Sequence, residues 1–216
     1  MPSVVQVCNL ALGRIGIDLF IEDIEDRNAR AIACKQYFEG VRQSVLSDFP
    51  WNFATKVVQL AAVDVDVPGW GAAYRYPADC LTLRHVTPAS GGRFQPPPLF
   101  GQAEAERATM IQGEVRFRVV MDPVTLEARV ILSDLDDAWA WYTADVPSPA
   151  LWPQLFVEAL AWKLAAELSG PLRVEARLRQ YAEQTYLWAL SQAQAGSLNE
   201  EYPDPYPDSP SVAVRA

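Results

Sequence analysis

Apolar residues near the start of the chain recur at the three- and four-residue spacing of an α-helix. The stripe consists of Val4, Cys8, Ala11 and Ile15. Ser3 and Gln6 have the spacing of a capping box, and Gly16 is a residue that commonly ends a helix. We therefore predict a first helix over about residues 3–15.

A second amphipathic segment follows the acidic loop Glu22–Asp26. Asp26 can serve as its N-cap, and Pro50 disfavours helical geometry in the residue before it. The apolar positions step by four, three, four and four along one face, at Cys34, Phe38, Val41, Val45 and Phe49. This pattern predicts a helix over about residues 27–47.

The middle of the chain changes to the two-residue period of a β-strand. Apolar Val115, Phe117 and Val119 alternate with Arg116 and Arg118. Further strand candidates are Lys56–Ala62, Leu81–Val86, Ala128–Ser133 and the segment in which Trp139, Trp141 and Thr143 share one face. Turn signals separate them, notably Gly91-Gly92 and Asp122-Pro123. We predict an antiparallel β lobe over about residues 56–145.

Helical spacing returns near residue 152. Residues 152–169 predict a helix with a stripe of Phe156, Leu160, Leu164 and Leu168. Gly170-Pro171 indicates a short connection to a fourth helix over about 171–195, so that the two form an antiparallel hairpin. Its predicted seam consists of Val174, Leu178, Tyr181, Thr185 and Trp188.

The pattern stops after Gly196, which we expect to end the fourth helix. Tyr202-Pro203-Asp204-Pro205 and Tyr206-Pro207-Asp208-Ser209 form a short repeat, and this proline density favours an extended conformation. The predicted fold class is α+β, with terminal helices forming a bundle beside a small antiparallel β lobe. We expect a single domain over residues 1–196 and an extended C-terminal arm over residues 197–216.

Composition limits the classes of partner. The chain has 18 basic and 27 acidic residues and a net charge of −9, which argues against a protein that grips nucleic acid by its phosphates. Three widely spaced cysteines, Cys8, Cys34 and Cys80, fit reduced thiols better than a disulfide framework. We see neither a membrane-spanning apolar run nor a signal peptide, and expect no membrane partner.

Candidate catalytic chemistry is sparse. His85 is the only histidine, and its place on a predicted strand, on the same face as Leu81 and Leu83, favours a packed or edge side chain. Its spacing from the cysteines matches no zinc pattern, so we expect no metal, no cofactor and no catalytic residue. The acidic groups Asp134, Asp136, Asp137 and Glu22–Asp26 leave open a glycosidase-like pair of carboxylates.

Four segments resemble the tail tubular protein A family, the head-to-tail adaptors of podovirus-like phages. They are Asn9–Gly16; Ala33–Tyr37 with Val41-Arg42 and Asp48–Ala54; Trp70 with Tyr74–Leu81; and Trp152–Ala161 with Leu164–Ala166. Pro-Trp-Asn-Phe-Ala and Tyr-Pro-Ala-Asp-Cys, in that order, are the more specific of these. The sequence departs from the family pattern between Thr87 and Gly113.

The resemblance implies a structural virion protein at the head–tail junction, made in the host bacterial cytoplasm, and not an enzyme. It implies a homo-oligomeric ring, expected to be a dodecamer, that binds the portal protein and the tail nozzle protein while genome DNA passes through its lumen without specific binding. The expected structural anchors are Phe49, Trp51, Phe53, Tyr76, Pro77 and Asp79. The expected portal-docking arm comprises Tyr202, Pro203, Pro205, Tyr206, Pro207 and Pro210.

Three alternatives remain open at this point. One is a head-completion or connector protein of another tailed phage or phage-derived particle. The second, from a different class, is a virion-associated cell-wall hydrolase that uses the acidic clusters. The third is a monomeric cytosolic binding module.

Overall fold

A computed structural model describes residues 2–88, 115–124 and 126–200, and within these ranges the fold is α+β. The described residues form four helices: α1 (Val4–Arg14), α2 (Ala29–Ser47), α3 (Gln154–Ser169) and α4 (Ala176–Leu198). The strands are β1 (Thr55–Gln59), β2 (Ala62–Val63), β3 (Ala72–Arg75), β4 (Cys80–Pro88), β5 (Phe117–Met121), β6 (Arg129–Ser133) and β7 (Ala138–Ala144). Short 3-10 helices span Asn52–Ala54 and Pro149–Leu151.

The chain divides into two compact units. The first runs over Phe38–Leu151 and contains every strand named above. The second comprises Pro2–Tyr37 and the described part of Trp152–Ala216. Helix α2 passes from the second unit into the first between Tyr37 and Phe38.

The strands described in the first unit form two antiparallel sheets. In one sheet the strand order is β1-β7-β4, and in the other it is β2-β3-β6-β5. Buried side chains from both sheets share one apolar cluster, namely Leu60, Tyr74, Cys80, Val86, Ile131, Ala138, Ala140, Tyr142 and Ala144. The opposite face of the second sheet buries Ala73, Val130 and Leu132. Burial on both of its faces explains the apolar character of β6.

The second unit is built from α1, the start of α2, α3 and α4. Helix α3 packs against both α1 and α4, and its predicted stripe from Phe156 to Leu168 is buried. Ser3 and Gln6 form the predicted capping box of α1, and Gly16 has a φ of +77° just after its end. This left-handed conformation costs a glycine little, so the predicted helix stop is confirmed. The predicted bundle beside the β lobe stays a prediction.

The helix boundaries differ from the predictions in three places. Helix α2 begins at Ala29 because Asn28, not Asp26, caps it: the Asn28 side chain accepts the Ala31 N–H at 2.9 Å. Helix α3 begins at Gln154 rather than residue 152. Helix α4 begins at Ala176 rather than Pro171, since the chain turns first and Arg173 has a φ of +55°.

The end of α4 is also later than predicted. Gly196 lies inside the helix, which continues to Leu198, and Ser197 is buried. A Cβ at Gly196 would lie 2.7 Å from Cδ1 of Leu155 on α3. The glycine therefore allows a close approach of the two helices and is not a stop. Ser197 and Leu198, predicted as the start of the arm, belong to α4. Residues 201–216 lie outside the described part of the chain.

The strand predictions hold in part. Trp139, Trp141 and Thr143 share one face of β7, as predicted, and Ala138, Ala140 and Tyr142 form the opposite, buried face. Strand β3 was missed, because its four residues are too few to show a period. The loop with Gly91-Gly92 and most of the segment that departs from the family lie outside the described residues.

Strand β4 carries two register shifts. They fall between Cys80 and Thr82 and between Leu83 and His85. Leu83 consequently pairs with Tyr142 and His85 with Trp141, which places Leu83 and His85 on opposite faces. The expectation that these two share a face is wrong, because each bulge inserts a residue that shifts the alternation.

Candidate functional site

The Pro-Trp-Asn-Phe-Ala segment forms an aromatic wedge within the first unit. Trp51 is only 1% exposed, and its Nε1 donates to the carbonyl of Val45 at 2.9 Å. The Phe49 and Trp51 rings meet edge-on with centroids 5.2 Å apart, and the centroid of the Phe53 ring lies 6.1 Å from that of Trp51. Trp51 thus fixes the direction in which the chain leaves α2 and enters β1.

The Tyr-Pro-Ala-Asp-Cys segment forms the turn between β3 and β4. The Cys80 N–H donates to the Pro77 carbonyl at 3.1 Å. Asp79 extends from this turn and accepts hydrogen bonds on both carboxylate oxygens, from Lys56 Nζ at 2.6 Å and from the Tyr142 hydroxyl at 2.8 Å. One carboxylate therefore joins the turn to β1 and β7.

The pKa values of the ionisable groups around this turn fit a structural role. These groups are Asp79, Cys80, Tyr76 and Tyr142. Burial raises the pKa of Asp79, but the hydrogen bonds from Lys56 and Tyr142 outweigh it, and the pKa lies below its usual value. Burial raises the pKa of the Cys80 thiol and raises that of Tyr76 to about 12. Burial and the bond to Asp79 also raise the pKa of Tyr142. Thiol and phenols stay protonated near neutral pH and are weak nucleophiles there.

A buried arginine joins α2 to the end of β7. Arg42, in the resembling Val41-Arg42 pair, is 1% exposed and bonds to Asp145 and Glu39. Gln43 donates to the second Asp145 oxygen at 3.1 Å. The sequence search did not select Asp145, which is an isolated acidic residue after a strand and carries no local signal.

The acidic clusters also make structural bonds. Asp134 receives the Arg116 guanidinium at 3.1 and 3.3 Å and the Gly71 N–H at 3.2 Å. In the N-terminal loop, Asp26 accepts the backbone N–H groups of Glu22 and Asp23 at 3.3 Å each. These bonds engage the carboxylate of Asp134 in one acidic cluster and the carboxylate of Asp26 in the other. Asp136 and Asp137 follow Asp134 on the same loop.

The cysteines and the histidine are divided between the two units. Cys8 and Cys34 meet in the second unit, both fully buried, and their mutual hydrogen bond together with burial raises the pKa of Cys8. Cys80 and the half-buried His85 belong to β4 in the first unit. Within the described ranges no group of histidine, cysteine or acidic side chains has the arrangement of a metal site.

Helix α4 exposes aromatic side chains that we predicted to be buried. Its buried stripe is Ala182, Tyr186, Ala189 and Ala193, whereas Tyr181 is 56% and Trp188 64% exposed. The predicted seam is wrong for these two residues, because three alanines and Tyr186 face the rest of the unit instead. Trp162 of α3 borders this aromatic face, with its ring 5.8 Å from that of Tyr181.

The predicted site residues thus fall into two groups. The six anchors from Phe49 to Asp79 belong to the first unit, and the structure joins Asp79 to its neighbours as described above. The predicted portal-docking residues from Tyr202 to Pro210 lie outside the described part of the chain. Among the helices that the structure describes, none is long and apolar enough to cross a membrane. Comparison of the sequence with protein-family models and with curated proteins gave no match.

Proposed function

We propose that this chain is a structural subunit of a tailed-phage virion, a head-to-tail adaptor that forms a ring between the portal protein and the tail nozzle protein and has no enzymatic activity. The ring extends the channel through which the genome leaves the head. The proposal rests on the resemblance of four ordered segments to the tail tubular protein A family. A connector of another tailed phage or phage-derived particle remains the alternative within the same class.

The main observation in support of the proposal is the structural role of the segments that resemble the family. Trp51 and its aromatic neighbours form a wedge, Arg42 forms a buried ion pair, and Asp79 joins a turn to two strands. Each of these residues contacts other parts of its own unit. This suits a structural subunit whose surfaces bind protein partners. The raised pKa values of Cys80 and Tyr76 fit the same role.

Two features favour assembly. Aromatic residues are enriched at protein interfaces. Helix α4 exposes two of them, Trp188 and Tyr181. The sequence of residues 201–216, rich in proline and tyrosine, is suited to act as an arm, because a proline-rich segment loses little entropy when it binds. Weak arm contacts repeated around a ring act together, so each arm needs to contribute only modestly.

The direct test is ring formation on the portal. The full chain, a chain ending at Glu200, and a full chain with Tyr202→Ser and Tyr206→Ser are each mixed with purified portal rings. The mixtures are examined by sedimentation and electron microscopy. We expect the full chain to add a ring to the portal, and the two altered chains to remain soluble and folded but fail to join.

Other outcomes count against the proposal. If the full chain never joins the portal or a related connector, the adaptor function is refuted. If the chain ending at Glu200 assembles normally, the arm is not the docking element. Turnover of peptidoglycan by the parent chain that is lost in Asp134→Asn or Asp136→Asn variants would favour the hydrolase instead.

A further inference from the structure

The exposed face of α4 carries no charge over its C-terminal two thirds. Residues 184–198 contain neither an acidic nor a basic side chain. A helix face that stays in water normally carries charged side chains. Here the face instead leaves Leu187 65% and Trp188 64% exposed. Depletion of charge together with exposed aromatic side chains is typical of the centre of a protein interface.

The exposed residues opposite the buried alanines of α4 have the spacing of a helix-pairing seam. They follow one another at alternating steps of four and three residues, and they are Arg177, Tyr181, Gln184, Trp188, Ser191 and Ala195. Such steps keep side chains in one stripe along which a second helix can pack. These six residues, which we call the α4 stripe, extend over about 27 Å at about 1.5 Å per residue.

We propose that the α4 stripe binds the same stripe of a second copy of this chain, with the two helices antiparallel. In the register centred on position 186, Tyr181 faces Ser191 of the partner subunit. Trp188 faces Gln184 of the partner subunit in the same register. Each aromatic ring thus meets a smaller side chain, and this alternation of large and small side chains lets facing helices interdigitate. The seam contains charge only at its ends.

The charges at the ends of α4 favour the antiparallel arrangement. Arg177 lies in the first turn of the helix, whereas Glu200 follows its last turn. The C-terminus of a helix also carries a partial negative charge from its free carbonyl groups. Antiparallel pairing places Arg177 level with Ala195 of the partner subunit, in the last turn of that helix, so that opposite charges meet. A parallel pair would bring the two Arg177 side chains together, and like charges repel.

A contact of this kind is two-fold symmetric and closes on itself, because both copies offer the same surface. The pair therefore belongs to the free chain and not to the proposed ring, and the inference does not rest on the adaptor function. Two helices that meet along a single stripe bury less area than a standard protein interface. We therefore expect a weak dimer that dissociates at roughly tens of micromolar.

The first test is sedimentation equilibrium of the full chain over a wide range of concentrations. We expect the parent to pass from monomer to dimer as its concentration rises. Trp188→Ser should raise the dissociation constant at least about tenfold, since a buried tryptophan is a frequent hot spot at an interface centre. The matched control is Leu19→Ser, which alters a side chain that is 65% exposed in the loop after α1 and should leave dimerisation unchanged. Arg177→Glu should weaken the dimer at low salt and have less effect at high salt.

The second test is disulfide crosslinking, which reports the direction of the two helices. The chain's own cysteines are buried, so introduced surface cysteines should dominate the reaction with a mild oxidant such as diamide. Tyr181→Cys and Ser191→Cys chains are oxidised separately and as a mixture, at a concentration at which the parent is dimeric. The mixture should give crosslinked pairs with one chain of each kind, identified by mass spectrometry. Ser191→Cys alone should give few, because its two copies lie about 15 Å apart along the axis of an antiparallel pair.

Three results would overturn the proposal. One is a parent that stays monomeric at every concentration, and another is a dimer that Trp188→Ser leaves intact. The third is crosslinking of Ser191→Cys alone that equals crosslinking of the mixture, which would mean parallel helices. Failure of the full chain to join a portal would refute the adaptor function without affecting any of these measurements.

Discussion

Arg42 on α2 donates to Asp145, which follows β7, although 103 residues separate them in sequence. The guanidinium is almost wholly buried, and a Glu39 carboxylate oxygen accepts from its Nη2 at 2.6 Å and from its Nε at 3.0 Å. Burial alone would lower the pKa of Arg42, but the bonds to Asp145 and Glu39 raise it. The charge of Arg42 is therefore held in place by two elements. One is α2 itself, and the other is the end of β7, the central strand of its sheet.

We expect Arg42→Ala to lower the free energy of unfolding by about 3 kcal/mol, because removing one partner of a buried pair leaves the other charge uncompensated. Asp145 is partly exposed and can regain some hydration, which keeps the loss near the lower end of the usual range. Urea unfolding measures the effect. The control, Arg179→Ala, breaks an exposed pair with Glu183 and should cost no more than about 1 kcal/mol. Equal losses in both variants would contradict this account of Arg42.

Trp51→Ala should lower the free energy of unfolding by about 3–5 kcal/mol, as large-to-small changes in a core do. The ring is 1% exposed, and its loss removes both aromatic contacts and the bond to Val45. Thermal and urea unfolding give the measurement. Trp188→Ala is the matched control, since that ring is 64% exposed and its loss should leave the unfolding free energy nearly unchanged. A stable Trp51→Ala protein would show that the wedge is dispensable.

The helical elements show what a sequence pattern can predict. Helix α2 was recognised because its buried stripe, from Cys34 to Phe49, includes large apolar side chains. In α4 the same reasoning selected Tyr181 and Trp188, while the buried side is formed mainly by alanines. Size does not indicate burial where two helices approach closely, so the hydrophobic pattern alone could not identify the correct face.

The candidate site was predictable only in part. Asp79 and Trp51 stand in recognisable segments, but their partners Lys56, Tyr142 and Val45 are fixed by strand register and helix geometry. Register depends on long-range pairing, and the bulges of β4 shift it without any local signal. Sequence therefore indicated which residues matter to the scaffold, but not which atoms they contact.

The free protein should not bind duplex DNA at physiological salt. Its net charge is −9, and duplex DNA is held mainly by neutralisation of its phosphates with lysine and arginine. An electrophoretic shift or fluorescence anisotropy assay with labelled duplex at micromolar protein tests this. A salt-dependent shift by the free chain would contradict the prediction, whereas contact seen only in an assembled ring would not.

The Asp79 cluster should make stability depend on pH in acid. The folded pKa of Asp79 lies below its value in the unfolded chain, so the unfolded chain binds a proton first as the pH falls. The contribution of Asp79 is therefore complete above its unfolded pKa, near 3.9, and is lost as the pH falls through the lower folded value. Asp79→Asn cannot titrate and should lower stability at pH 7, while its unfolding free energy should fall less steeply than that of the parent between about pH 5 and pH 2.

Tyr142→Phe removes one of the two bonds that depress the pKa of Asp79 and should give an intermediate slope. Urea unfolding at a series of pH values measures all three proteins, and parallel curves for the parent and Asp79→Asn would show that Asp79 makes no such contribution.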